Sequence, residues 1–307
     1  MTATERGMTA MGDQRAIVFG GAGFLGSHVA DALSDSGHDV VIFDRKASAY
    51  RRDDQEEIVG DILDEDAVSD AVVGRDVVYN FAGIADIEQA RDNPVDTVRY
   101  NVLGNTVMLE AARRHRVKRF LFASSVYVYS EHGSFYRNSK QACELLIDSY
   151  QRVHGLDYTI LRYGSLYGPR SDARNGVYRI LRQAVEEGRI DHAGTGEEVR
   201  EYIHVEDAAR LSVAALDEEF ANEHVVLTGH QAMKVHDLLV MVAEMLGGDV
   251  TVNYLPATSE EHYVVTPYTF RPRVGRKLIA NSYLDLGQGL LHTVAAVHDA
   301  LQHEHGE

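Results

Sequence analysis

Residues 15–26 read RAIVFGGAGFLG. An apolar run that enters spaced glycines and then opens a helical pattern admits few folds. RAIVFG (15–20) is a strand candidate, and GFLGSHVADALSDSG (23–37) has helical spacing and stops at a glycine. Gly21, Gly23 and Gly26 fit G-x-G-x-x-G; Gly20, Gly23 and Gly26 fit its G-x-x-G-x-x-G variant. Between a strand and a helix this spacing is a dinucleotide fingerprint. The glycines allow a tight turn and let backbone N–H groups approach a pyrophosphate, and the helix N-terminus adds partial positive charge. Gly20, Gly23, Phe24, Leu25 and Gly26 are therefore cofactor-binding candidates.

The alternation continues. DVVIFD (39–44), EIVG (57–60), DVVYNFAG (76–83), VKRFLFASS (117–125) and YTILRYG (158–164) read as further strands. Helical patterns lie between them, notably at 94–114 and 136–153. Near-continuous apolar strands alternating with helices mean a parallel sheet covered on both faces. Right-handed crossovers then make an α/β fold with a doubly wound parallel sheet of Rossmann type. After Pro169 the order is less regular, with helices expected at 175–187, 205–217, 234–246 and 287–302. The expected division is a dinucleotide-binding domain (14–168 and 201–229), a smaller substrate-binding cap (169–200 and 230–307) and a disordered tail (1–13).

At 307 residues and 45% hydrophobic, the chain can bury a large core. No apolar run is long enough to cross a bilayer, and the N-terminus lacks a signal-type apolar stretch. The one cysteine, Cys143, excludes an internal disulfide and a multi-cysteine metal site. It is expected to serve helix packing. No histidine pair has zinc spacing, so no metal is expected. A net charge of −17 argues against a nucleic-acid partner. A cytoplasmic location, with no membrane partner, fits these features.

Asp44 ends the second strand, where a carboxylate can accept hydrogen bonds from both ribose hydroxyls of an adenosine and repel a 2′-phosphate. That favours NAD over NADP. Arg45 follows, and a guanidinium there could hold the extra phosphate. Asp61 and Ile62 follow the third strand, where the Asp61 carboxylate either meets an adenine amino group or caps the helix beginning near Asp64.

Residues 135–140 read FYRNSK. On a helix, Tyr136 and Lys140 share one face. The fifth strand ends in ASSVY (123–127), at the sheet edge where doubly wound folds bind ligands, so that face would lie near Ser125. A free phenol has a pKa near 10 and must be lowered by roughly 3 units, about 4 kcal/mol, to act as a base around neutrality. The Lys140 ammonium and an oxidised nicotinamide could supply that in a desolvated cleft. Ser125 would bond the same reacting oxygen. The expected chemistry is hydride exchange at a carbinol carbon, with Tyr136 moving the hydroxyl proton.

With these features in order, the chain resembles the extended short-chain dehydrogenase/reductase family, specifically the NAD-dependent nucleotide-sugar epimerases and dehydratases. The resemblance covers about residues 15–300. It rests on GGAGFLG (20–26), Asp44, GDI (60–62), NFAG (80–83), YNVLGN (100–105), FASSVYVY (122–129), YRNSK (136–140), LRYGSLYGP (161–169) and REYIHVEDAA (200–209). It implies a catalytic trio of Ser125, Tyr136 and Lys140. Phe81, Ala82 and Gly83, with Asn101 and Ala123, would line the cofactor groove, and the Asn101 amide could also tie the fourth and fifth strand regions together. Tyr163 would border nicotinamide, and Ser165 the sugar. Arg200, Arg271 and Arg273 would bind the substrate diphosphate, a task suited to paired guanidinium bonds. The resemblance also implies a UDP-sugar as the favoured substrate and a homodimer paired through the helices near 94–114 and 136–153.

Three departures refine the reading. The family's 4,6-dehydratases carry an Asp-Glu pair directly after the catalytic Ser/Thr, where this chain has Val126 and Tyr127; the decarboxylases favour a glutamate at the position of Tyr127. Both reactions are thereby disfavoured, leaving oxidation and reduction at one carbon, as in 4-epimerases and some ketoreductases; C4 epimerisation is the favoured reading. A nucleotide-sugar 4-ketoreductase using NAD(P)H and a non-catalytic dinucleotide-binding protein stand as alternatives. The stretch VYVYSEHGSF between Ser125 and Tyr136 is short for the family, which implies a more open site, an unusual sugar, or closure by another segment. Ser165 stands where the family often has asparagine.

Overall fold

The computed structural model describes residues 14–256, 275–279 and 282–305. The expected tail (1–13), Arg271 and Arg273 lie outside them. In chain order the elements begin with β1 (Arg15–Phe19), α1 (Phe24–Asp35), β2 (Asp39–Asp44), β3 (Gln55–Val59), α2 (Glu65–Val72) and β4 (Val77–Asn80). There follow α3 (Ile87–Asp92), α4 (Pro94–Thr97), a π-helical stretch (Val98–Leu103), α5 (Gly104–Arg114) and β5 (Arg119–Ser125). A 3-10 turn (Val126–Tyr129) leads into α6 (Ser134–His154), then β6 (Tyr158–Tyr163), β7 (Ser165–Tyr167), α7 (Gly176–Glu187), β8 (Arg189–Ala193) and β9 (Val199–His204). The remainder is α8 (Val205–Ala214), β10 (Glu223–Leu227), β11 (Ala232–Lys234), α9 (Val235–Met245), β12 (Thr251–Leu255), β13 (Arg276–Lys277) and α10 (Leu286–His305).

Eight strands form the central sheet in the order β13-β10-β6-β5-β4-β1-β2-β3, and every pairing in it is parallel. The order reverses between β1 and β4, which opens a crevice at their carboxyl ends. The inner strands β1, β2, β4, β5 and β6 are largely apolar because both faces are covered, whereas the edge strands β3 and β13 carry exposed polar residues. Ile17, Phe19, Val41 and Phe120 face a layer built from α2, α5 and α6. Val18, Ile42, Leu121 and Leu161 face α1 and α8. Burying each such side chain contributes roughly 1.5–3 kcal/mol, so this double-sided core dominates the fold.

The last sheet strand, β13, comes from the segment expected to belong wholly to the cap, yet it pairs with β10. The rest of that segment packs separately: Leu181, Leu238, Leu239, Leu290 and Val297 share a core of α7, α9 and α10. Small sheets β11-β9-β7 and β12-β8 flank it.

Two expected elements differ in extent. The strand expected over 76–83 ends at Asn80, because the Asn80 side chain accepts the Ala82 N–H at 3.1 Å and Gly83 takes a left-handed φ of +133°. The helical pattern at 94–114 is interrupted by the π-helical stretch, in which buried Asn101 reaches sideways to other elements.

Candidate active site

The site begins at the glycine turn. Gly20 sits at φ +78°, and a Cβ there would lie 2.7 Å from the Phe81–Ala82 backbone. A Cβ on Gly26 would run into the Gly20 carbonyl oxygen. The turn therefore closes only with glycine at both positions. No side chain caps the first turn of α1, where Phe24 and Leu25 lie behind Gly23. Asp44, half-buried at the end of β2, accepts the Ala22 N–H at 3.2 Å. Uncapped amides at a helix start beside a strand-end carboxylate fit a pyrophosphate and a ribose. Arg45 is exposed beside it.

Asp61 is exposed and accepts the Leu63 N–H at 2.9 Å. The cap of α2 is Asp64, which accepts from Ala67 N at 3.1 Å, so capping by Asp61 is corrected. Ile62 is buried. Phe81 and Ala82 are half-buried along the β4 edge of the crevice. Asn101 acts as a tie. Its Oδ1 accepts Ile84 N–H at 2.7 Å, while its Nδ2 donates to Ile84 O and Ser139 Oγ, each at 2.9 Å. It thus fastens the loop at Gly83 to α6, between Tyr136 and Lys140.

The expected trio comes together at the end of β5. Ser125 Oγ accepts the Tyr127 N–H at 3.2 Å and is hydrogen-bonded to the Tyr136 phenol. Lys140 donates from Nζ to the Ala123 carbonyl at 2.7 Å. Its ammonium lies 4.8 Å from the Phe122 ring centroid and 5.8 Å from that of Tyr136. The expected lowering of the phenol is corrected for the chain itself: burial pushes Tyr136 up to about 12, against the opposing Ser125 hydrogen bond. The cause is lost hydration of the phenolate. Burial also lowers Lys140, with Cys143 and Glu144 acting the other way. Cys143 is buried, its thiol pushed up to about 12 by burial and directed to the Asn101 carbonyl at 3.1 Å.

Other expected residues fall into place unevenly. The Tyr163 phenol does not border the crevice; it is buried against Ser212 Oγ of α8 at 2.6 Å, which leaves only its backbone at the sheet edge. Burial raises its pKa well above the usual value. Ser165, half-buried, pairs with Tyr202 in β7. Half-buried Arg200 of β9 donates from Nη1 to the Val199 carbonyl at 3.0 Å. The short Ser125–Tyr136 stretch arises because the 3-10 turn feeds α6 through Gly133 at φ +94°. Tyr127 folds back over Gly133 and meets the Tyr136 ring edge-on, centroids 6.2 Å apart.

Residues not singled out from the sequence complete the setting. Asn80 shapes the β4 turn through Ala82 and Asn105. Ser124 donates to buried Glu144, which is paired with buried Arg162. A glutamate four residues after Lys140 and an arginine within an apolar strand were the available signals. Among the described residues there is no metal-ligand cluster, and no helix is long and apolar enough to cross a membrane.

Comparison with known proteins agrees with this geometry. The NAD dependent epimerase/dehydratase family matches residues 16–228. A UDP-N-acetyl-alpha-D-glucosaminuronate decarboxylase of Bacillus cytotoxicus is 27% identical over 79% of this chain and 84% of its own. A dTDP-glucose 4,6-dehydratase of Streptomyces griseus is 28% identical over 92% and 93%. The crystal structure of a UDP-glucose 4-epimerase of Thermotoga maritima with UDP-glucose superposes with a TM-score of 0.81 at 26% identity, covering 94% of this chain and 99% of that one. These relatives carry out three different reactions. The chain belongs to the NAD dependent epimerase/dehydratase family, and its cofactor is NAD.

Proposed function

We propose that the protein epimerises a nucleotide sugar, a UDP-sugar in first place, at C4 through a 4-keto intermediate. The observation that carries this reading is the set Ser125, Tyr136 and Lys140 at one strand end, followed by Val126 and Tyr127 instead of carboxylates. Val126 has no transferable proton. Tyr127 presents a phenol, a far weaker acid than the carboxyl groups that elimination of water calls for.

Bound NAD would supply a reversible hydride acceptor for the sugar carbon and positive charge beside the phenol. Gly20, Gly23, Phe24, Leu25 and Gly26 would hold its pyrophosphate and Asp44 its ribose. Tyr136 accepts the hydroxyl proton as the carbonyl forms and gives it back on reduction. Ser125 holds the same oxygen. Lys140, anchored on Ala123, keeps an ammonium near the phenol and so favours its ionised form. Arg200 would bind the diphosphate. Phe81, Ala82 and Gly83 would wall the groove.

A homodimer through α5 and α6 belongs to the same reading. Val98 and Leu103 of the π-helical stretch before α5, and Leu145 and Val153 of α6, are exposed, Val153 by 72%. Exposed apolar side chains on these segments support a protein partner.

The test is turnover of UDP-, dTDP-, GDP- and CDP-sugars, with C4 configuration followed by NMR. Inversion at C4 without net NADH formation is expected. Loss of water or carbon dioxide from the sugar would overturn the reading, and so would stoichiometric consumption of NADH.

A further inference from the structure

Glu144 and Arg162 take no part in the proton transfer described above, yet both are ionisable groups deep in the fold. The Arg162 side chain is 0% exposed and that of Glu144 7%. Arg162 donates from Nε to Glu144 Oε1 at 3.0 Å and from Nη2 to Oε2 at 2.6 Å, a forked pair. The Ser124 hydroxyl donates to Glu144 Oε1 at 2.5 Å. On its other side Arg162 donates from Nη1 to the Tyr129 hydroxyl at 2.7 Å, and its Nη2 meets His224 Nδ1 at 2.7 Å. The Tyr129 hydroxyl also accepts the Gly275 N–H at 3.0 Å.

The placement of this lock is informative. Glu144 lies one helical turn beyond Lys140 on α6. Ser124 lies between Ala123, which holds the Lys140 ammonium, and Ser125, which holds the Tyr136 phenol. One carboxylate therefore pins the helix that carries Tyr136 and Lys140 to the strand that carries their partners, and Arg162 of β6 orients that carboxylate. A buried ion pair is a poor device for stability alone, since well-packed apolar replacements are often neutral or stabilising. Its directional bonds fix a rotation and a register, which an apolar contact does not.

We propose that Arg162 is a positioning residue: through Glu144 it sets the rotation of α6 against β5, and so keeps Lys140 on the Ala123 carbonyl and Tyr136 on Ser125. The kinetic part of this inference rests on the epimerase reading; the geometric part does not.

The experiment replaces the pair together, as E144L/R162M, in the full chain loaded with NAD. Melting temperature, NAD affinity, kcat, KM and a crystal structure are recorded. The expected variant folds with wild-type NAD affinity and KM, while kcat falls about a hundredfold, the scale of an ångström-level misplacement. That loss should not add to the loss caused by K140M, because both act through the same ammonium. R162K should not restore kcat, since an ammonium cannot make the fork. A kcat within twofold of wild type, or a loss fully additive with K140M, overturns the proposal. If the apolar pair does not fold, E144Q, which keeps the size and an acceptor for Ser124, is read by the same criteria. If the wild-type protein turns over no nucleotide sugar, the epimerase reading fails by itself and the crystal structure decides. Lys140 released from the Ala123 carbonyl supports the positioning role, and Lys140 retained there refutes it.

Discussion

The Lys140 ammonium is held by the Ala123 carbonyl at 2.7 Å, so a side chain on α6 is anchored to the strand that ends in Ser125. This cross-connection brings the Tyr136 phenol to the Ser125 hydroxyl. Burial, opposed by the Ser125 hydrogen bond, pushes that phenol up to about 12. On the proposed reading, positive charge beside the phenol has to oppose that shift.

Replacing Tyr136 by phenylalanine removes the proposed proton carrier and little else. Turnover of the accepted nucleotide sugar should fall by about 10²–10⁴-fold, the usual contribution of a general acid–base group. NAD affinity and melting temperature should stay near wild type. Kinetics and calorimetry on the same preparation check both. Wild-type turnover in Y136F would remove Tyr136 from the mechanism.

Asp44 supports the glycine turn through Ala22 N, and on the proposed reading it would hold the ribose. Charge-assisted hydrogen bonds are worth about 1.5–3 kcal/mol. Asp44→Ala should therefore weaken NAD binding by roughly 10–100-fold. It should also narrow the preference over NADP, because a repelling carboxylate is gone while Arg45 stays. Titration calorimetry with both dinucleotides measures this. An unchanged NAD:NADP ratio would mean that Asp44 does not set the preference.

Gly26→Ala places a methyl group against the Gly20 carbonyl. Backbone cannot yield as a flexible side chain can, so the turn must open. Overpacking of this kind costs about 1–3 kcal/mol, and NAD binding should be lost with it. Denaturant unfolding and NAD titration report the two effects separately.

His204 gives a pH dependence of defined sign. Burial first, then His292 and Arg210, lower its pKa from 6.5 to about 4. Its ring caps α8 by accepting the Glu206 N–H. The folded state therefore favours the neutral ring. The stabilisation is fully present above pH 6.5 and is lost as pH falls from there through about 4. Linkage puts the loss between pH 7 and pH 5 at about 2 kcal/mol. His28 is lowered too, mainly by burial, and adds an effect of the same sign. The relevant quantity is thus wild type minus H204N, in which asparagine keeps an acceptor for the cap. Urea midpoints across pH 5–8 should show a flatter slope for H204N.

The proposed homodimer would cover the exposed Leu145 and Val153 of α6. Leu145→Glu with Val153→Glu should shift the protein from dimer to monomer in light scattering at micromolar concentration, with the melting temperature of the monomer fold little altered. Identical mass for wild type and variant would count against this face.

Much of the fold was legible in the chain because its signals are local. Apolar runs such as VVIFD in β2 mark strands that are buried on both faces, and the glycine spacing at 20–26 reflects contacts between near neighbours. Tyr136 and Lys140 share a face because a helix repeats every few residues, and Asp44 ends its strand as its position suggested. The tertiary structure decided what depends on distant neighbours. It turned the Tyr163 phenol to Ser212, gave the Asn101 tie its partners in the Gly83 loop and α6, and placed Arg162 against Glu144 of α6. It also set burial of the Tyr136 phenol against the lowering expected from Lys140 and an oxidised nicotinamide, because lost hydration is set by every element packed around a group and no spacing along the chain encodes it.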